Sequence, residues 1–263
     1  MIEAVPASME SSAILVDLTR KTALVTGGAQ GIGKAIAKRF HAAGSKLIVV
    51  DTCEAQLLEL DSELGTDIIT CVADISCETD LQSKLAPIIA AHGPVDILVN
   101  NAATVTRRAK ITDLSLEEWE RSLKVNLTGA FLLSRMVIPQ MCANGGGVIL
   151  NIASQLGHVA VQGAAAYCTT KGGMLQFTRS LALDHAEDNI RVVALSPGAV
   201  QTPRLTDVFG SSDAAEETLA PAHPIGRLGK ADEVADAAMF LVSDEASFIT
   251  GTDLIADGGY TAR

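Results

Sequence analysis

Aromatic side chains are scarce in this chain: they make up 3% of its 263 residues, with one Trp and two Tyr. A core must therefore be built from Ala, Val, Ile, Leu and Gly, the residues that buried parallel strands favour. Positive charge is also in deficit. Lys and Arg number 20 against 31 Asp and Glu, for a net charge of −11. A phosphate polymer is repelled over most of such a surface, so no nucleic acid partner is expected. Long apolar runs are missing, and the N-terminal stretch Ala13–Val16 is too short for a signal peptide, so no membrane association is expected. The cysteines, Cys53, Cys71, Cys77, Cys142 and Cys168, include no C-x-x-C pair and are odd in number, which reads as reduced thiols in a cytoplasm. His41, His92, His158, His185 and His223 show no ligand spacing along the chain, and no metal is expected. There is no internal repeat, low-complexity run or linker.

What is present is an alternation. Short aliphatic strands are expected at Thr22–Thr26, Lys46–Val50, Ile68–Val72, Val95–Val99, Val148–Ile152, Arg191–Leu195 and Asp253–Ala256. Helices are expected over about 32–43, 54–64, 78–91, 118–142, 165–187 and 231–243, the one near 118 opened by a Ser115/Glu118 capping box. Such units predict an α/β fold: one Rossmann-type, doubly wound parallel sheet of about seven strands with helices on both faces. Residues 1–19 read as a loose lead-in and 20–263 as one domain. Within it, 203–226 carries Pro203, Pro221 and Pro224 with little period and reads as a substrate lid.

Three stretches carry chemistry. The first strand runs into Gly27-Gly28-Ala29-Gln30-Gly31-Ile32-Gly33 and then a helix, the context in which backbone N–H groups hold a pyrophosphate. The spacing is T-G-x-x-x-G-x-G, one residue longer in the turn than G-x-G-x-x-G. Asp51 ends the second strand, where a carboxylate can accept from both ribose hydroxyls and repel a 2′-phosphate, favouring NAD over NADP. Asp74, after the third strand, either meets an adenine amino group or starts the next helix. Asn126 falls inside a long helical region despite its low helix propensity, so either a kink, a polar task or a plain surface position is expected there.

The third stretch is Tyr167-Cys168-Thr169-Thr170-Lys171, in which Tyr and Lys share a helix face one turn apart. A free phenol has a pKa near 10, and bringing it close to neutrality takes roughly 4 kcal/mol of preference for the phenolate. An ammonium at about 4–5 Å supplies energy of that order. The pair can thus make an acid or base that works near pH 7.

Thr26-Gly27-x-x-x-Gly31-Ile32-Gly33, Asp51, Asp74, Asn100-Asn101-Ala102, Asn126, Ser154, Tyr167-x-x-x-Lys171, Pro197-Gly198 and Thr202 together resemble the short-chain dehydrogenase/reductases from about Leu18 to Gly259. The resemblance implies that Tyr167 exchanges a proton with the substrate oxygen, that Ser154 holds that oxygen, and that Lys171 lowers the Tyr167 pKa and binds the nicotinamide ribose. It implies that Asn126 holds a relay water. The dinucleotide is implied to lie on Gly27, Gln30, Gly31, Ile32, Gly33, Asp51, Asp74, Ile75, Asn101, Ala102, Tyr167 and Lys171, with Pro197, Gly198, Val200 and Thr202 around the nicotinamide. A homotetramer through the two long helices is the family's common form. Ala103 stands where the family has Gly, a departure that crowds the cofactor slightly.

The segment Ser154-Gln155-Leu156-Gly157-His158-Val159 looks like that of some diol and sugar-alcohol dehydrogenases, which makes Ser154, Gln155, His158 and Tyr167 the candidate substrate contacts. A small polyol, vicinal diol or sugar is the expected substrate. The alternative is a 3-oxoacyl-thioester reductase, against which stand Asp51 and the lack of basic residues at Cys142–Gly147 and Leu183–His185. A non-catalytic dinucleotide sensor is the remote alternative, since such proteins lose the Tyr or the Lys.

Overall fold

The computed structural model describes residues 16–65 and 67–262. Seven parallel strands form the central sheet: β1 (Thr22–Thr26), β2 (Lys46–Asp51), β3 (Ile68–Val72), β4 (Ile97–Asn100), β5 (Gly147–Ile152), β6 (Ile190–Pro197) and β7 (Asp253–Ala256). Their order is β3-β2-β1-β4-β5-β6-β7. The chain winds outward from β1 in one direction and from β4 in the other, so a crevice opens at the carboxyl ends of these two neighbours.

Successive residues of each strand feed opposite faces. On one, Ala23, Val25, Leu47 and Val49 pack with α1 (Gly31–Ala42) and, later in the chain, Val234–Val242 of the last helix. On the other, Leu24, Ile48 and Val50 pack with Leu81, Leu85, Leu133 and Val137. Both faces are dry, which is why the strands read as unbroken aliphatic runs with no polar alternation. Within this apolar slab runs a polar rung. Asn100 Nδ2 donates to Asn151 Oδ1 (2.8 Å), and Asn151 Nδ2 to Thr178 Oγ1 (2.9 Å), joining β4, β5 and the helix above them.

The remaining helices are α2 (Glu54–Leu64), α3 over 78–92, α4 over 116–143, α5 (Ala165–Asp184), α6 (Pro203–Phe209), α7 (Ser212–Leu219) and α8 (Ala231–Val242). Two of them contain a widened turn. In α3 it spans Leu81–Leu85, just ahead of Pro87, whose missing N–H cannot continue the ordinary ladder. In α4 it spans Lys124–Thr128 and encloses Asn126. The expected capping box opens α4: Ser115 Oγ accepts from Glu118 N and Glu118 Oε2 from Ser115 N.

Four expectations are corrected. Residues 1–15 of the expected lead-in lie outside the described residues, but 16–19 are docked: Leu18 is buried and its N–H donates to Ala43 O at 2.8 Å. The fourth strand is shifted to Ile97–Asn100, because it pairs with β5 through Asn100. The helix expected to reach 187 stops at Asp184, where His185 caps it and Asn189 takes a left-handed φ of 58°. The stretch 203–226 is not irregular. Pro203 opens α6 at its first turn and Ser211 caps α7 by accepting from Ala214 N, two helices too short to show a period.

Candidate active site

A cleft of about 630 Å³ lies over the carboxyl ends of β1 and β4. Gly27, Gln30, Gly31, Ile32, Gly33, Asp51, Asp74, Ile75, Asn101, Ala102 and Thr202 all line it. Its floor is the β1–α1 turn. Gly27 (φ 59°) and Gly31 (φ 54°) take left-handed backbone that only glycine adopts freely. A Cβ on Gly33 would sit 2.1 Å from Gly27 O and 2.4 Å from Asn101 Nδ2, so the turn closes tightly only without one. Thr26 Oγ1 accepts from the N–H groups of Asn101 and Ala102, and Asn101 Nδ2 donates back to Thr26 O and Gly27 O. The ends of β1 and β4 are thereby locked edge to edge beneath the cleft.

The start of α1 carries no side-chain cap and no acidic residue in its first turn. Its orphan N–H groups face a roomy cleft, an arrangement that fits a dinucleotide pyrophosphate. At one end stands Asp51. One carboxylate oxygen accepts from Ala29 N of the glycine turn (3.2 Å), the other from Thr52 N (2.8 Å) and Cys53 N. Asp74 is exposed and accepts from Ser76 N and Oγ, so it shapes the start of α3 while lining the cleft.

Ser154 lies two residues beyond β5 and caps the short turn Gln155–Gly157, its Oγ accepting from Leu156 N. The turn after it lies directly on α5: a Cβ on Gly157 would come within 2.9 Å of Lys171 O. This close approach sets Ser154 near Tyr167, where its hydroxyl acts to lower the Tyr167 pKa. Lys171 is 2% exposed; its Nζ donates to Ile152 O at 2.6 Å and stands 5.8 Å from the centre of the Tyr167 ring. Three of the four expected catalytic groups thus meet at one spot on the β5 edge. The fourth, Asn126, is buried rather than a surface residue. Its Oδ1 accepts from Thr104 N, and its Nδ2 donates to Thr104 O, Ser122 Oγ and Thr170 Oγ1. It ties the loop after β4 to α4 and to the turn between Tyr167 and Lys171.

The electrostatics differ from the expected ones. Burial raises the Tyr167 pKa above the usual phenol value, opposed by Arg204 and by the Ser154 hydrogen bond. Burial, together with the positive charge of Arg204, pushes Lys171 down to about 7. In the chain by itself, loss of hydration dominates both groups, and the lysine is poised between ammonium and amine at neutral pH.

Pro197 ends β6 with Gly198 next to it, and Val200 is buried in a short parallel pair with Gly229; none of the three lines the cleft. Gln155 is buried against Gly198, where a Cβ would lie 2.9 Å from its Oε1, and that oxygen has no hydrogen-bond partner. His158 is turned elsewhere. Its Nε2 meets Asp253 Oδ2 at 2.6 Å, tying the loop to β7. Arg204 is the residue sequence reasoning passed over. It sits at the first turn of α6, donates to Ala103 O, lines the cleft and bears on both Tyr167 and Lys171. Only its place two residues after Thr202 hints at this.

Comparison with known proteins agrees with the geometry. A family model described as enoyl-(acyl carrier protein) reductase matches residues 27–261. The chain belongs to the short-chain dehydrogenase/reductase family. Membership makes it an oxidoreductase acting on CH–OH groups with a nicotinamide cofactor. It is 36% identical to an NAD-dependent glycerol dehydrogenase of Listeria innocua, over 94% of this chain and 96% of that one. It is 37% identical to a D-threitol dehydrogenase of Mycolicibacterium smegmatis, over 94% and 95%. A crystal structure of 3-ketoacyl-(acyl-carrier-protein) reductase from Brucella melitensis with NADH matches with a TM-score of 0.88 at 38% identity, covering 93% of this chain and all of that one.

Proposed function

We propose that this short-chain dehydrogenase/reductase oxidises a secondary alcohol of a small polyol, vicinal diol or sugar, with NAD as hydride acceptor. The observation that carries the reading is the meeting of Ser154, Tyr167 and Lys171 at the end of β5, within reach of Arg204, which itself lines the glycine-floored cleft. When bound, the nicotinamide ring supplies the hydride acceptor and a positive charge. The chain's own groups do the rest. Ser154 Oγ holds the substrate hydroxyl. Tyr167 Oη would take its proton as the carbon gives up its hydride, and Lys171 would hold the ribose of a bound cofactor and favour the phenolate. Asn126 is a positioning residue for this helix turn and for the water through which the proton leaves. Asp51 selects the unphosphorylated ribose, since Asp51-Thr52-Cys53-Glu54 offers no base to a 2′-phosphate.

The unpartnered Gln155 Oε1 supports a second hydroxyl on the substrate, because a buried acceptor is best satisfied by one more donor. We assign substrate contact to Ser154, Gln155 and Tyr167, with His158 holding the loop. The homotetramer is proposed through α4 and α5, where Phe131 and Leu183 leave apolar surface exposed; a cytoplasmic setting fits five free cysteines. A panel of sugars, polyols, diols, steroids and acyl thioesters with NAD and NADP tests the reading. NADH formation with polyols or diols is expected. Turnover confined to acyl thioesters with NADPH would favour the 3-oxoacyl reductase alternative, and no turnover at all a sensor. Gln155→Ala should lower kcat/KM about tenfold more for diols than for mono-alcohols; equal losses would remove the second-hydroxyl idea.

A further inference from the structure

A second cluster of reactive side chains lies at the opposite edge of the sheet. Cys142, in the last turn of α4, stands just before β5, and His185 and Asp188 stand just before β6. The cysteine sulfur, a ring nitrogen of His185 and a carboxylate oxygen of Asp188 all lie within 4.8 Å of one another, the group of this kind found among the described residues. His185 Nδ1 and Asp188 Oδ2 are 2.8 Å apart, and burial, together with the nearby Asp188 carboxylate, holds the Cys142 thiol's pKa up.

The backbone beneath holds the three in place. His185 N donates to Leu181 O, and both Asp188 N and Ile190 N to His185 O. Asn189 Nδ2 donates to Gly145 O, and Gly147 N to Asn189 O, stapling the two loops together. Gly146 permits this contact, since a Cβ there would meet Asn189 O at 2.2 Å. The cluster is open to water, with His185 24% and Asp188 41% exposed. Its surroundings are acidic: 142–147 and 183–189 contain Asp184, Glu187 and Asp188 and no Lys or Arg.

We propose that Cys142, His185 and Asp188 bind a divalent cation of borderline softness, zinc foremost. Thiolate, imidazole and carboxylate make a zinc donor set, with water completing the tetrahedron. Nitrogen and oxygen donors at ~2.0–2.1 Å from zinc stand ~3.3 Å apart, so the His185–Asp188 pair must open by only about half an ångström. On binding, the Cys142 sulfur forms the metal bond and its proton leaves to solvent, so uptake releases about one proton. The ion joins the ends of α4 and α5 across the amino edge of β5 and β6, remote from the cofactor cleft. Sequence spacing hides the site because its ligands come from two distant segments.

The test uses full-length, reduced, chelator-treated protein with CoCl2 as optical probe and ZnCl2 in calorimetry. One equivalent of cobalt should give a thiolate-to-metal charge-transfer band that zinc abolishes. Cys142→Ser should lose the band and Cys77→Ser keep it, while His185→Ala should weaken zinc at least about tenfold. No band in the wild-type chain, or a band that survives Cys142→Ser, overturns the proposal whatever the alcohol panel shows.

Discussion

Replacing Lys171 with Met should stabilise the unliganded protein, and by an amount that shrinks as pH rises. The ammonium is 2% exposed, and its pKa falls from 10.5 in the unfolded chain to about 7 in the folded one. The folded state therefore sheds a proton near pH 7 that the unfolded state keeps until 10.5. Between those values the unfolded chain binds more protons, and stability rises with pH. Below the folded value both states are protonated and the full penalty, about 5 kcal/mol, is present. Integrated from pH 6 to pH 9, the wild-type chain should gain about 3 kcal/mol relative to Lys171→Met. Methionine keeps the volume and the apolar stem and removes the charge together with the hydrogen bond to Ile152 O, so the test rests on the pH dependence of the gap. Urea unfolding of both proteins without cofactor, at four pH values, reads the difference directly. A gap that stays constant with pH, or one that widens, would refute the claim that burial depresses this lysine.

Tyr167→Phe should cut turnover by at least ~10²-fold while NADH still binds, from the usual worth of general acid–base catalysis; near-normal turnover by steady-state assay would defeat the assignment. Asp51→Ala should bring the NAD and NADP kcat/KM values together, and unchanged selectivity would count against its ribose contact. Gly33→Ala places a methyl against Gly27 O and Asn101 Nδ2, costing about 1–3 kcal/mol of stability; a fluorescence titration should show NADH binding lost, and a normal Kd would mean that the turn yields more easily than its geometry says.

The sheet and the cleft were legible because they rest on local patterns. Aliphatic runs between helical periods gave seven parallel strands, and Gly27, Gly31 and Gly33 marked a turn whose backbone excludes side chains. The helices within 203–226 were not legible, since α6 and α7 are each too short for periodicity and owe their starts to Pro203 and Ser211. Asn126 looked ambiguous for a physical reason: a residue poor in helix propensity is held in a helix by four side-chain hydrogen bonds, three of them to two segments distant in sequence, at Thr104 and Thr170, and one to Ser122 a turn away in its own helix. His158 misled because the loop suggested a pocket, whereas its partner Asp253 arrives from the far end of the chain. The Tyr167–Lys171 spacing predicted their proximity but not the burial that governs both, which depends on the end of β5 and the turn after it lying against α5.

Strands made of Val, Ile and Leu grip one another through interchangeable hydrocarbon, so β4 and β5 taken alone would bind almost as well one step out of phase. The amide of Asn100 facing Asn151 removes that degeneracy. In any other alignment the two amides part inside a dry slab, and each stranded polar group costs about 1–3 kcal/mol. The rung thus works as a tooth that lets the zipper close in one position only. That position sets Asn101 under the glycine turn and Ser154 beside Tyr167 together, so a single mispairing at this seam would disarm the cofactor floor and the proton site at once.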